Sequence, residues 1–214
     1  MKTLIFADTH LSSRVYRKKF NYLKSIIEPA DRVIIAGDFW DGFLTTLDKF
    51  VDSGWNQLFP LLLERQAIYV YGNHDRSEWS NELVNRFSVQ QSLDTDLTIN
   101  NQKYHLTHGH TIFTSLEDKI PAFNHSLPLR VGANIDVLHK LVWGRRFLSK
   151  DSSINNPMRH WPNVQSDTIL ICGHSHYPEI DTKHNFINPG FIGMGYGNYI
   201  IIDQQGTRLI KERY

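Results

Sequence analysis

The chain has 214 residues, of which 41% are hydrophobic, 12% aromatic and 21% charged, with a formal net charge of +1. That apolar content can fill one sizeable core and excludes an extended disordered chain, while the near-neutral balance gives no support to a protein that coats nucleic acid. Cys172 is the only cysteine, so an internal disulfide framework is excluded and a reducing compartment is expected.

Taken in chain order, MKTLIFADTH opens with one lysine and a short apolar run that meets Asp8 too early for a signal-peptide core. No stretch approaches the roughly 18 consecutive apolar residues of a membrane span. A cytoplasmic protein is the expectation. TLIF (3–6) reads as a strand stopped by Asp8-Thr9-His10. Tyr16, Phe20, Leu23, Ile26 and Ile27 are spaced for a helix over 14–27. RVIIA (32–36) is a second strand, ended by Gly37-Asp38, and FPLLLERQ (59–66) a second helical stretch. AIYVY (67–71) is β-branched and aromatic, and Gly72-Asn73-His74-Asp75 follows at its carboxyl end. Such a β–α–β–α–β run implies crossover connections and a largely parallel sheet, with both faces of the strands covered.

From residue 96 the pattern changes. DLTINNQKYHLTHGH predicts two strands around an Asn100-Asn101 turn. TILICGHSH (168–176) is a strand ending in histidines, and the remainder reads as antiparallel strands and hairpins. Residues 111–166 hold four of the eight prolines. They predict a helical insertion in a single 1–214 domain, with Val131, Ile135, Leu138 and Val142 on one face.

Five motifs thus sit at strand ends: Asp8-Thr9-His10, Gly37-Asp38, Gly72-Asn73-His74-Asp75, Thr107-His108-Gly109-His110 and Gly173-His174-Ser175-His176. In an α/β sheet the carboxyl ends of parallel strands converge on one crevice. Any one of these histidines alone would be an ordinary hydrogen-bonded residue; jointly they read as metal ligands. The donors are carboxylates and imidazoles without thiolate, which suits Mn²⁺, Fe or Zn²⁺. They are too many for one open catalytic ion and suit two ions roughly 3.5–4 Å apart, a geometry for hydrolysing phosphate esters.

In this order, D-x-H, G-D, G-N-H-D, a lone H and G-H-x-H resemble the calcineurin-like metallophosphoesterase superfamily across residues 4–190, apart from most of the insertion. The resemblance implies a two-sheet αββα sandwich, here with a helical cap insertion at 111–166. It implies two divalent cations, Mn²⁺ first and Fe or Zn²⁺ next. Asp8, His10, Asp38 and His176 would hold one; Asp38, Asn73, His108 and His174 would hold the other, with Asp38 bridging. A metal-bridging hydroxide would attack phosphorus, and His74 would protonate the leaving oxygen or stabilise the transition state. Asp41 stands three residues after Asp38, as in the G-D-x-V-D-R-G motif of the serine/threonine phosphatases, and would orient His74 and raise its pKa. Gly42 and Asp75 depart from that subfamily, which has arginine and glutamate there.

The substrate implied is a small phosphate mono- or diester, with no clear nucleic-acid partner and an open oligomeric state. Arg14, His110, Arg145 and Arg146 are candidate substrate contacts, the last two on the insertion beside Trp143 and Phe147. Gly-Asp-Phe-Trp-Asp (37–41) with a capped crevice is also similar to UDP-2,3-diacylglucosamine pyrophosphatases, which carry arginine where this chain has His74. A third reading, a non-catalytic scaffold such as the retromer subunit of the same superfamily, predicts loss of His74 or of a ligand, and the chain retains every one. Asp75 is expected to support its loop, Cys172 to pack in the core, His105 to lie at the surface, and Asn188-Pro189-Gly190 to form a turn.

Overall fold

Thr3–Phe6 (β1), Arg32–Ala36 (β2), Ile68–Val70 (β3) and Gln90–Ser92 (β4) run parallel, in that order, through the computed structural model, which describes residues 1–114 and 152–214. On the other side of β1 the sheet turns antiparallel. Tyr196–Asp203 (β11) pairs with β1, and Ile192–Gly193 (β10) and Gly206–Arg213 (β12) both pair with β11. The expected parallel run is therefore one half of a seven-stranded mixed sheet.

The other five described strands form a second sheet. Asp94–Ile99 (β5) and Gln102–Thr107 (β6) form the expected hairpin, with Asn100 and Asn101 both left-handed at φ 51° and 64°, the conformation that a two-residue type I′ turn requires. Thr168–Ile171 (β7) lies parallel to β6 and to Phe186–Asn188 (β9), and Glu179–Asp181 (β8) closes the edge antiparallel to β9.

The alternation along β1–β3 explains their continuous apolar runs. Ile5, Ala7, Ile34, Ala36, Ile68 and Val70 face the second sheet and pack with Ile99, Leu106, Ile171 and Ile187. Leu4, Phe6, Val33, Ile35 and Tyr69 face the other way, onto the helices. Arg17–Ile27 (α1) buries Tyr22, Leu23, Ile26 and Ile27 on that face; each such side chain contributes about 1.5–3 kcal/mol by leaving water. Leu47–Val51 (α2), capped by Thr46, and Phe59–Glu64 (α3), with Pro60 in its first turn, complete the layer. The first helix starts at Arg17, later than the expected 14, because Leu11 still pairs with Trp40 and Tyr16 remains extended at φ −98°, ψ 108°.

The outer face of the second sheet is covered by both flanks of the long connection. Ile112, Phe113, Met158 (in Asn156–Arg159, α4), Trp161 and Val164 pack on Leu170, Cys172 and Phe186. Cys172 is a buried core residue. The helix expected around Val131–Val142, together with Trp143, Arg145, Arg146 and Phe147, lies outside the described residues. No described helix is long and apolar enough to cross a membrane.

Candidate metal centre

Asp8 and His10 follow β1, Asp38 follows β2, Asn73 and His74 follow β3, His108 follows β6, and His174 and His176 follow β7. The crevice is thus built at the carboxyl ends of strands from two sheets rather than one. The first two loops are zipped by backbone: Asp8 N donates to Gly37 O at 3.1 Å, Thr9 N and His10 N to Asp38 O at 2.9 Å, and Leu11 N to Phe39 O at 3.0 Å. Asp75 ties the third loop to the second. Its carboxylate accepts from Gly72 N (2.6 Å), Asp38 N (3.1 Å) and Phe39 N (2.6 Å). Burial and the neighbouring Asp38 push that carboxyl up to about 7, against the pull of these donors.

Two glycines are fixed by close approach. A Cβ at Gly72 would overlap Asp38 Oδ1, and one at Gly37, which holds φ +90°, would run into the His108 ring. The side chains themselves sit on unusual backbone. Asp8, His10, Asp38, His174 and His176 have φ of 53°, 44°, 53°, 66° and 61°, a left-handed conformation costing non-glycine residues about 1–3 kcal/mol each unless the surroundings impose it.

Six imidazole and carboxylate side chains converge. His10 Nε2 and His176 Nε2 face each other across 3.1 Å, with Asp8 Oδ1 3.2 Å from His176 Nε2 and 4.0 Å from His10 Nε2. Asp38 Oδ2 lies between His10 Nε2 (3.7 Å) and His108 Nε2 (3.2 Å). Asn73 Oδ1 lies 3.0 Å from both His108 Nε2 and His174 Nδ1. Ligand atoms of Asp8, His10 and His176, and of Asp8, Asp38 and His108, fall within 4.8 Å of one another.

Two observations show that these residues fit cations. Asp8 Oδ1 is buried and, among the described residues, makes no aligned hydrogen bond. His108 Nδ1 lies 2.9 Å from Ala36 O, which directs its N–H outward and leaves the Nε2 lone pair facing the oxygens of Asn73 and Asp38. Lone pairs facing lone pairs need a positive charge between them, as a proton or a metal. With protons alone, burial opposes a charge on His108, but Asp38 outweighs it and pushes its pKa up to about 10. Asp38 is likewise held well below the usual carboxylate range, against burial, by His108, His74 and His10.

Asp41 is 1% exposed and serves two imidazoles: Oδ1 is 3.3 Å from His74 Nδ1 and Oδ2 is 3.6 Å from His10 Nδ1. The second contact was not anticipated from the sequence. His74 N donates to Asp38 Oδ1 at 2.9 Å, and the His74 ring stands edge-on to His10 and to Phe43. His110 is half-buried, its ring 5.6 Å from that of His108, and its Nδ1 has no hydrogen-bond partner among the described residues. Burial and the neighbouring His108 push it down to about 4. Arg14 is exposed with its guanidinium over Tyr16; Arg145 and Arg146 lie outside the described residues. Sequence reasoning also missed Asn188, fully buried, whose amide donates to Gly173 O and Ser175 Oγ at 2.9 Å.

Residues 1–204 match the calcineurin-like phosphoesterase superfamily domain. No curated protein matches the sequence. Among solved structures, an archaeal phosphodiesterase aligns over 99% of both chains at 20% identity with a TM-score of 0.51. Yfce, a phosphoesterase from E. coli, covers 95% of this chain and 89% of its own at 17% identity and TM-score 0.49. Vps29 from Entamoeba histolytica, solved with Zn²⁺, covers 100% and 99% at 16% identity and TM-score 0.44. At 20% identity the first likeness is one of fold.

Proposed function

The chain belongs to the calcineurin-like phosphoesterase superfamily, and on that premise we propose that it hydrolyses a small phosphate mono- or diester with two divalent cations. Asp8, His10, Asp38 and His176 would hold one, and Asp38, Asn73, His108 and His174 the other, with Asp38 shared. The observation that supports the reading is the convergence of Asp8, His10, Asp38, His108 and His176, with the carboxylate oxygen Asp8 Oδ1 making no aligned hydrogen bond among the described residues. Mn²⁺, Fe and Zn²⁺ are all compatible with this oxygen-and-imidazole set, and Mn²⁺ is the ion proposed first. When bound, such ions supply Lewis acidity and ionise water near neutral pH.

The chain's own residues do the rest. Water adds to phosphorus opposite the ester oxygen and releases a proton to solvent, the new P–O bond forming as the old one breaks. His74, oriented through Nδ1 by Asp41, presents Nε2 to the departing oxygen and gives it a proton. Phe43 stands edge-on to His74 at 4.9 Å between centroids and Trp79 edge-on to Phe43 at 5.3 Å. This apolar flank borders the departing group and suits an aryl or nucleoside moiety. A cytoplasmic setting is consistent with the single buried thiol. The nucleotide-linked lipid reading and the cap depend on residues outside those described.

The test is hydrolysis of aryl phosphate mono- and diesters by protein stripped of metal and then reloaded with Mn²⁺. His74→Asn should lower turnover about 10²–10⁴-fold with metal content unchanged. Turnover that ignores either the metal or this substitution would sink the proposal.

A further inference from the structure

His174 and His176 ride on one tight turn in which both are left-handed and Ser175 N bonds to Gly173 O at 2.8 Å. That conformation costs a non-glycine residue about 1–3 kcal/mol, which surrounding contacts must offset. They come through Ser175, 2% exposed and enclosed between the two histidines. Ser175 Oγ donates to Asn155 Oδ1 at 2.6 Å and accepts from Asn188 Nδ2 at 2.9 Å and Tyr177 N at 3.2 Å. Asn155 is wholly buried. Its Nδ2 donates to Glu179 Oε2 at 2.7 Å and Tyr177 O at 3.2 Å. Glu179 is in turn held by Arg159 Nη2 at 2.5 and 2.6 Å.

Every side-chain polar atom of Asn155 and Ser175 is thereby used, in a setting where a half-satisfied network would cost more than an apolar one. Asn155 comes from outside the motifs, on the returning flank of the long connection. On the departing flank, the Phe113 ring lies 6.0 Å from that of His174. Both flanks therefore rest on the same ligand turn. The geometry points to Asn155 as a positioning residue: through Ser175 it fixes the imidazoles of His174 and His176, so cation affinity is set partly by the flank of the long connection and not by the ligands alone.

The experiment is calorimetric titration of the metal-stripped full chain with Mn²⁺. Asn155→Ala should weaken binding about 10–100-fold, the usual scale for partners that orient ligands, with the near-UV circular dichroism spectrum retained. Ser175→Ala, which deletes only the hydroxyl, serves if Asn155→Ala does not fold and should weaken binding on the same scale. The double variant should lose no more than the worse single one, since the two act in series. Val33→Ala, buried in the first sheet away from the turn, should lower Tm and leave affinity unchanged. Binding by Asn155→Ala equal to that of the unaltered protein, or losses in the double variant that multiply, overturns the inference and leaves the metal centre standing. Absence of Mn²⁺ binding by the unaltered protein overturns the metal centre and the inference with it.

Discussion

Asp41 lies between two imidazoles, and that position makes its substitution informative. Burial opposes its ionisation, yet His74 and His10 hold its carboxyl far below the ordinary range; linkage is reciprocal, so the carboxylate favours the protonated imidazole in turn. In Asp41→Asn the proposed acid loses its proton sooner, and the alkaline limb of the pH–rate profile should move to lower pH. An unmoved limb would separate Asp41 from His74. His108 supplies a second test. Its pKa, pushed up to about 10 against an unfolded value of 6.5, gives the metal-free protein a stabilisation that is complete below pH 6.5 and lost as pH rises through about 10. A bound cation needs the neutral ring, so binding near pH 7.5 should release a proton. Calorimetry in two buffers of different ionisation enthalpy reads that proton directly; equal enthalpies would contradict it.

At the scale of elements, the loops of the proposed centre owe their alignment to Asp75 as much as to the strands. Asp75→Asn keeps the shape but places an amide N–H₂ against backbone donors, leaving buried groups unsatisfied at about 1–3 kcal/mol. We expect a lowered midpoint in urea together with weaker cation binding, measured on the same preparation; a normal midpoint would show that the loop holds itself. The motifs were legible because each one ends a strand with chemistry that no turn requires. The two-sheet sandwich was legible only through the family resemblance of those motifs, since DLTIN and QKYHL by themselves carry only a hairpin pattern. β4 escaped because Gln90-Gln91-Ser92 has no apolar period, and Asn155 because its hydrogen bonds join residues 20 and 33 positions away. Leu11 extending its pairing to Trp40 shows tertiary contact overriding helical spacing in the same way.

For the molecule as a whole, the cations would bridge loops of opposite sheets, so binding is also a cross-link of the core. A ligand specific to the folded state at 100 times its Kd adds about 2.7 kcal/mol. Scanning calorimetry should show Tm rising with Mn²⁺ and returning to its metal-free value with chelator. A Tm indifferent to both would mean that the crevice is not closed by metal.

The five left-handed residues of the crevice carry a consequence for how the protein tolerates change. Glycine at Asp8 or Asp38 would forfeit a donor but relax the main chain, whereas alanine would forfeit the donor and keep the tension. Of two variants equally unable to hold a cation, Asp8→Gly should therefore outlast Asp8→Ala on heating. Selection for thermal endurance alone would drift toward glycine at these posts, so in the proposed centre their aspartates and histidines would trade main-chain ease for cation binding.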